Sequence, residues 1–170
     1  MSNDPKPLKQ KTRVAVLTVS DGVARGVRED RSGEVASEEL QKLGFDVVAR
    51  EVVPDDTAQI VASVRAWVDG GETELVVTTG GTGLGPRDVT PEAIRPILER
   101  ELPGYGELLR ADGLRHTPMA VLSRSLAGTL GSALVICLPG SPKAVREGLA
   151  ALAPTLPHAL ELLSGKTEHR

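Results

Sequence analysis

VVTTGGTGLGPRDVTPEA, residues 76–93, passes from β-branched residues through four glycines to an arginine beside an aspartate, and then to a helix start. Extended upstream, TELVVTT (73–79) has a continuous apolar centre, the composition of a strand covered on both faces. A buried strand that opens into bare backbone and then a helix is the repeating unit of an α/β sheet. Such sheets take their ligands at the carboxyl ends of the strands.

Upstream, RVAVLTVS (13–20) reads as a first strand and DGVARGVREDRSG (21–33) as a long polar loop. EVASEELQKLG (34–44) has helical spacing with Gly44 at a C-terminal cap, and FDVVAREVV (45–53) returns to strand character. DDTAQIVASVRAWVDGG (55–71) places Ile60, Val64, Trp67 and Val68 on one helical face. Downstream, Thr90 reads as a helix cap with Pro91 as the first helical residue, and the interior Pro96 should bend or end that helix. YGELLRADGL (105–114) is a short helix, and PMAVLSRSLAGTLG (118–131) reads equally as a short helix with a loop or as irregular extended chain. SALVICLPG (132–140) is another strand, and a helix interrupted near Pro154 and Pro157 closes the chain. Right-handed crossovers between these elements give the expected fold, a three-layer α/β/α sandwich with a mostly parallel central sheet. No internal repeat is visible.

The 170 residues fit one domain, expected over 13–164, with a disordered basic tail over 1–12 and a flexible C-terminus over 165–170. Phe, Trp and Tyr occur once each, so Val, Leu, Ile and Ala must supply the packing. A formal net charge of -3 argues against non-specific nucleic-acid binding, which relies on many Lys and Arg. The single cysteine, Cys137, lies in an apolar run and reads as a small buried hydrophobe. Without a long apolar segment or a disulfide pair, the expectation is a cytoplasmic protein with no membrane partner.

The loop Gly80–Asp88 fails both common nucleotide fingerprints. Counting G-x-G-x-x-G from Gly81 lands on Pro86, and Pro86-Arg87 stands where a P-loop has Lys-Ser/Thr. What remains is the physics those motifs share: Gly80, Gly81, Thr82 and Gly83 leave N–H groups free to wrap an anion. Arg87 could orient a phosphate while Asp88 holds Mg²⁺ against it, or the two could simply pair as a salt bridge. In VVPDD, Asp56 with Gln59 fits a capping box, which leaves Asp55 unexplained. If Asp55 and Asp88 lie at neighbouring strand ends they face one cleft, and Mg²⁺ bridging polyphosphate is the economical cation between them. LPGSPK (138–143) offers Pro139, Gly140, a Ser141 cap and Lys143, equally an anion site or a well-made helix start. Ser20 and Asp21 end the first strand. His116, His158 and His169 share no zinc spacing, and no serine stands in a G-x-S-x-G setting.

Taken together, TVSD, PDD, TTGGTGLGPRDVTPEA, PGYGELLR, AVLSRSLAG and LPGSPKAV resemble the molybdopterin adenylyltransferase family, often called MogA/MoaB, over nearly the whole chain. The resemblance implies transfer of AMP from Mg-ATP to the terminal phosphate of molybdopterin, with release of pyrophosphate. It implies that Asp55 and Asp88 are the essential acidic pair and hold Mg²⁺. By the same resemblance Gly80 to Gly83 and Gly140 form the nucleotide pocket, and Ser123, with neighbouring Arg124 and Ser125, serves the pterin. Gly113 stands where relatives can hold a pterin-contacting serine, a departure that bears on the pterin contacts. The family also implies a homotrimer or homohexamer and a separate molybdenum-insertion partner. Binding of molybdopterin without turnover and a purely scaffolding role remain open. A relative of the competence-damage proteins is disfavoured by the single-domain length.

Overall fold

The computed structural model describes residues 10–165. The expected tail and C-terminus therefore lie mostly outside the described residues, although Thr12 already accepts from Asp46 N–H at 2.9 Å beside the first strand.

The chain forms β1 (Arg13–Val19), α1 (Asp21–Ala24), α2 (Arg31–Lys42), β2 (Asp46–Val53), α3 (Thr57–Asp69), β3 (Leu75–Thr79) and α4 (Thr90–Ile94). It continues through β4 (Arg100–Glu101), α5 (Pro103–Leu114), β5 (Leu126–Leu130), β6 (Ala133–Leu138), α6 (Pro142–Leu152) and α7 (Leu156–Leu163). One six-stranded sheet has the order β2-β1-β3-β6-β5-β4. The first four are mutually parallel, and β5 runs antiparallel to both neighbours.

The layers follow from strand alternation. Val14, Val16, Leu75, Val77, Leu134 and Ile136 point to one face, where α2, α5, α6 and α7 cover them. Their neighbours Leu17, Val19, Val76, Val135 and Cys137 point to the other, beneath α3 and α4. β3 and β6 are buried at every position, as their unbroken apolar runs require. The expected three-layer sandwich with a mostly parallel sheet is therefore the observed fold. Cys137 is fully buried, and burial pushes its thiol up to about 12.

Three local expectations need correction. The segment 21–33 is not one loop: Ser20 caps the single turn α1, and α2 begins at Arg31 because Asp30 caps it through Gly33 N–H at 3.0 Å. Thr90 is not a cap. Its hydroxyl donates to the Gly80 carbonyl at 2.8 Å, and Val89 takes the capping position without a side-chain bond. Two short strands were hidden. Gly131 and Ser132 form a two-residue turn between β5 and β6, with Gly131 at φ 56°, so 126–138 is a hairpin. Helix α4 stops at Ile94, where Pro96 falls in a turn of 3-10 helix over 95–97.

Candidate active site

The carboxyl ends of β1, β2, β3 and β6 meet on one edge of the sheet. They deliver Ser20-Asp21, Pro54-Asp55, the Gly80 loop and Pro139-Gly140 to one place. The loop is folded by its own neighbours. Gly80 N–H donates to Leu138 O, Thr90 N–H to Gly81 O, and Thr79 Oγ1 to Pro139 O. Gly80 and Gly81 have φ of 99° and 68°, and a Cβ on Gly80 would collide with the Val19 carbonyl. A Cβ on Gly140 would lie 3.3 Å from Gly80 Cα, so these two glycines pack backbone to backbone.

The charged residues form two units. In the first, Asp21 and Asp55 exchange bonds: Asp21 N–H donates to Asp55 Oδ2 at 2.9 Å, and Asp55 N–H donates to Asp21 Oδ1 at 3.0 Å. Arg87 then reaches both Asp21 oxygens, at 3.0 and 3.2 Å. Its sequence-level alternative, a pair with Asp88, is replaced by this longer-range one. The Arg87 bond holds the Asp21 carboxyl below its ordinary range. Asp55 is pushed up, first by burial and then by the charges of Asp21 and Asp88.

In the second unit, Asp88 accepts from Gly85 N–H at 2.8 Å within its own turn. A Cβ on Gly83 or Gly85 would press on Asp88 Oδ2 at 2.8 and 2.9 Å. Asp55 and Asp88 do not sit at neighbouring strand ends, because β1 lies between β2 and β3. Gly81 connects them: it lines the main pocket together with Asp88, and a Cβ on it would lie 3.3 Å from Asp55 Oδ1.

That pocket has a volume of about 590 Å³, the size of a small-molecule site. Of the candidate residues, Gly81, Thr82, Gly83, Asp88, Ser123, Pro139, Gly140 and Ser141 line it, whereas Ser20, Asp21, Asp55, Gly80, Arg87, Arg124, Ser125 and Lys143 do not. Its apolar wall, formed by Leu109, Met119, Leu122 and Ala144 with Gly113 and Gly148, was not foreseen. The two helix-interior glycines were the available signal. A Cβ on Gly113 would lie 2.7 Å from Ala120 and one on Gly148 3.0 Å from Leu109, so both permit close approach of the wall.

Several candidates have protein partners. Ser141 caps α6 through Ala144 N–H at 3.2 Å, and Ser20 caps α1. Lys143 is largely exposed and lies 3.8 Å from Glu147 on its own helix. Ser123 and Ser125 hydroxyls bond each other at 2.9 Å, while Arg110 donates to both of their carbonyls. Arg124 points back to the glycine loop, donating to Gly83 O and Asp88 O and pairing with Glu92.

With the edge loops and the pocket in view, comparison with known proteins is decisive. Residues 15–158 match the family model described as probable molybdopterin binding domain. The chain belongs to this family. It is 40% identical over 158 residues to a molybdopterin adenylyltransferase of Helicobacter pylori, covering 92% of this chain and 90% of that protein. It is 43% identical to a molybdenum cofactor biosynthesis bifunctional protein of Chlorobaculum tepidum, covering 90% of this chain but only 49% of that longer relative. Among solved structures, the molybdopterin biosynthesis enzyme MoaB of Thermus thermophilus superposes with a TM-score of 0.86 at 51% identity, over 93% of this chain and 99% of that one. The molybdopterin-binding fold thus spans nearly all the described residues.

Proposed function

We propose that this family member is a molybdopterin adenylyltransferase of molybdenum cofactor biosynthesis. It joins a terminal phosphate oxygen of molybdopterin to the α-phosphorus of ATP and releases pyrophosphate. The observation that carries this reading is a small-molecule pocket lined by the glycine loop and Asp88, with Asp55 meeting the same loop at Gly81. The relatives named for the same activity support it.

The incoming phosphate is already anionic at neutral pH, so the attack needs no histidine base. The protein's work is positioning and charge neutralisation. Asp55 and Asp88 would hold Mg²⁺. Each commits Oδ2 to a backbone N–H, and among the described residues neither Oδ1 has a hydrogen-bond partner. Asp21, which exchanges bonds with Asp55, is already neutralised by Arg87, so Asp55 and Asp88 are the carboxylates left to face a hard cation. Substrate phosphates would have to supply the remaining ligands, since among the described residues no three His, Cys, Asp or Glu side chains group to hold a metal. Bound there, Mg²⁺ supplies charge neutralisation on the phosphates. Gly81, Thr82 and Gly83, with Pro139 and Gly140, line the pocket and would let the nucleotide lie against backbone, while Gly80 packs against Val19 and Gly140. Ser123 offers a hydroxyl to the pterin side, next to the apolar wall.

No helix among the described residues is long and apolar enough to cross a membrane. A cytoplasmic homotrimer or homohexamer that hands its product to a molybdenum-insertion protein completes the reading. Purified protein mixed with metal-free molybdopterin and Mg-ATP should yield adenylylated molybdopterin and pyrophosphate. Pterin binding without either product would replace the enzyme by a binding protein.

A further inference from the structure

The segment 123–125 faces two ways. Ser123 lines the main pocket, whereas Arg124 turns to the glycine loop. The Arg124 backbone N–H donates to Thr82 O at 2.8 Å. Its Nε donates to Gly83 O and its Nη2 to Asp88 O, both at 2.9 Å, while Nη1 pairs with Glu92 on α4. One planar group therefore grips the carbonyls at both ends of the turn 83–88 and ties them to a helix. Within that turn, Gly85 N–H donates to Asp88 Oδ2 at 2.8 Å and Asp88 N–H to Gly85 O at 3.0 Å. Leu84, Gly85, Pro86 and Arg87 are all exposed, and glycines at 83 and 85 leave the turn many unfolded alternatives.

We infer that Arg124 is a positioning residue for the reaction: it fixes the turn, and through the turn the Asp88 carboxylate, without itself touching substrate. The inference rests on the reading of Asp88 as a metal-holding group. The geometry requires arginine, because a lysine ammonium cannot present a planar fork to two carbonyls and a carboxylate at once. Each of the three guanidinium nitrogens of Arg124 already has one acceptor in the loop or on α4.

The test uses the full chain with Arg124→Lys and Arg124→Gln and has two arms. Amide hydrogen exchange at Gly85 and Asp88 should quicken at least about tenfold in both variants, with Val76 and Val77 of β3 unchanged as the internal reference. Unaltered exchange at Gly85 and Asp88 overturns the inference. In steady-state adenylylation, kcat should fall about 10- to 100-fold, with KM for Mg-ATP and for molybdopterin within about threefold of wild type. A loss confined to KM also overturns it and makes Arg124 a substrate ligand. If wild type forms no adenylylated product, the proposed function fails while the exchange arm still decides the role of Arg124. Should both Arg124 variants fail to fold, Glu92→Gln loosens the guanidinium and leaves the carbonyl contacts. A smaller acceleration at the same two amides is then expected, and none would count against the inference.

Discussion

Asp88 and Asp55 carry the same chemical group but are held in opposite ways. Asp88 is set by a turn of a few residues, closed by Gly85 and gripped from outside by Arg124. Asp55 is set by a partner 34 residues away, Asp21, which is in turn tied to Arg87 across 66 residues. Local backbone geometry thus fixes one carboxylate, while three strand ends must come together to fix the other. Burial and two neighbouring carboxylates also push the Asp55 carboxyl above its ordinary range.

The largest effect that probes this contrast is at Asp88 itself. Asp88→Asn should leave a folded protein whose adenylylation is at least about 100-fold slower, roughly 2.7 kcal/mol of barrier. Full activity in that variant would remove Asp88 from the mechanism. Next comes Asp21→Asn, which keeps the shape but loosens both the Arg87 pair and the hold on Asp55 N–H. Activity about tenfold down, with the circular dichroism spectrum unchanged, is expected from that misplacement. An effect equal to that of Asp88→Asn would mean Asp21 touches substrate directly. The adjacent Asp56 is the internal control, since its carboxylate caps α3 through Gln59 N–H at 2.9 Å. Asp56→Ala should cost about 1 kcal/mol in denaturant unfolding while kcat stays near wild type.

The smallest effect is a stability difference with a sign. Because the folded-state carboxyl of Asp55 titrates above its unfolded value, its ionised form is a cost to folding that is fully present above the folded pKa. That cost disappears as pH falls through the folded value to the unfolded one. Asp55→Asn should therefore melt at or above wild type at pH 7, with the margin closing in acid, although its adenylylation is lost. A lower melting temperature at pH 7 would show that the carboxylate contributes net stability through its bond from Asp21 N–H. Added Mg²⁺ should raise the melting temperature of wild type more than that of this variant.

The sheet was legible in the sequence wherever one run of residues carried the whole signal. β1, β2, β3 and β6 appear within a residue or two of their apolar runs, and Gly44 at φ 91° ends its helix as its position suggested. β5 escaped because LAGTL is short and its partner lies only across Gly131-Ser132, a turn signal that an ambiguous stretch obscured. β4 has two residues and is defined only by pairing with β5. The site divides the same way. The glycine loop, Asp55 and Asp88 were readable as residue types out of place in an ordinary turn. The partner of Arg87 was not, because Asp88 beside it in sequence is turned inward to Gly85 while Asp21 arrives from another strand end. The pocket wall from α5 and α6 depends on helix packing that no single segment encodes.

The two rims of the sheet bear on how copies of this chain can meet. β2 exposes Asp46, Arg50 and Glu51 with Val48 among them along one rim, and β4 closes the other with only two residues. Charged or very short borders are poor templates for adding another chain's strand. Addition of a strand from another copy is disfavoured at both rims, which keeps the ladder of main-chain bonds within one chain.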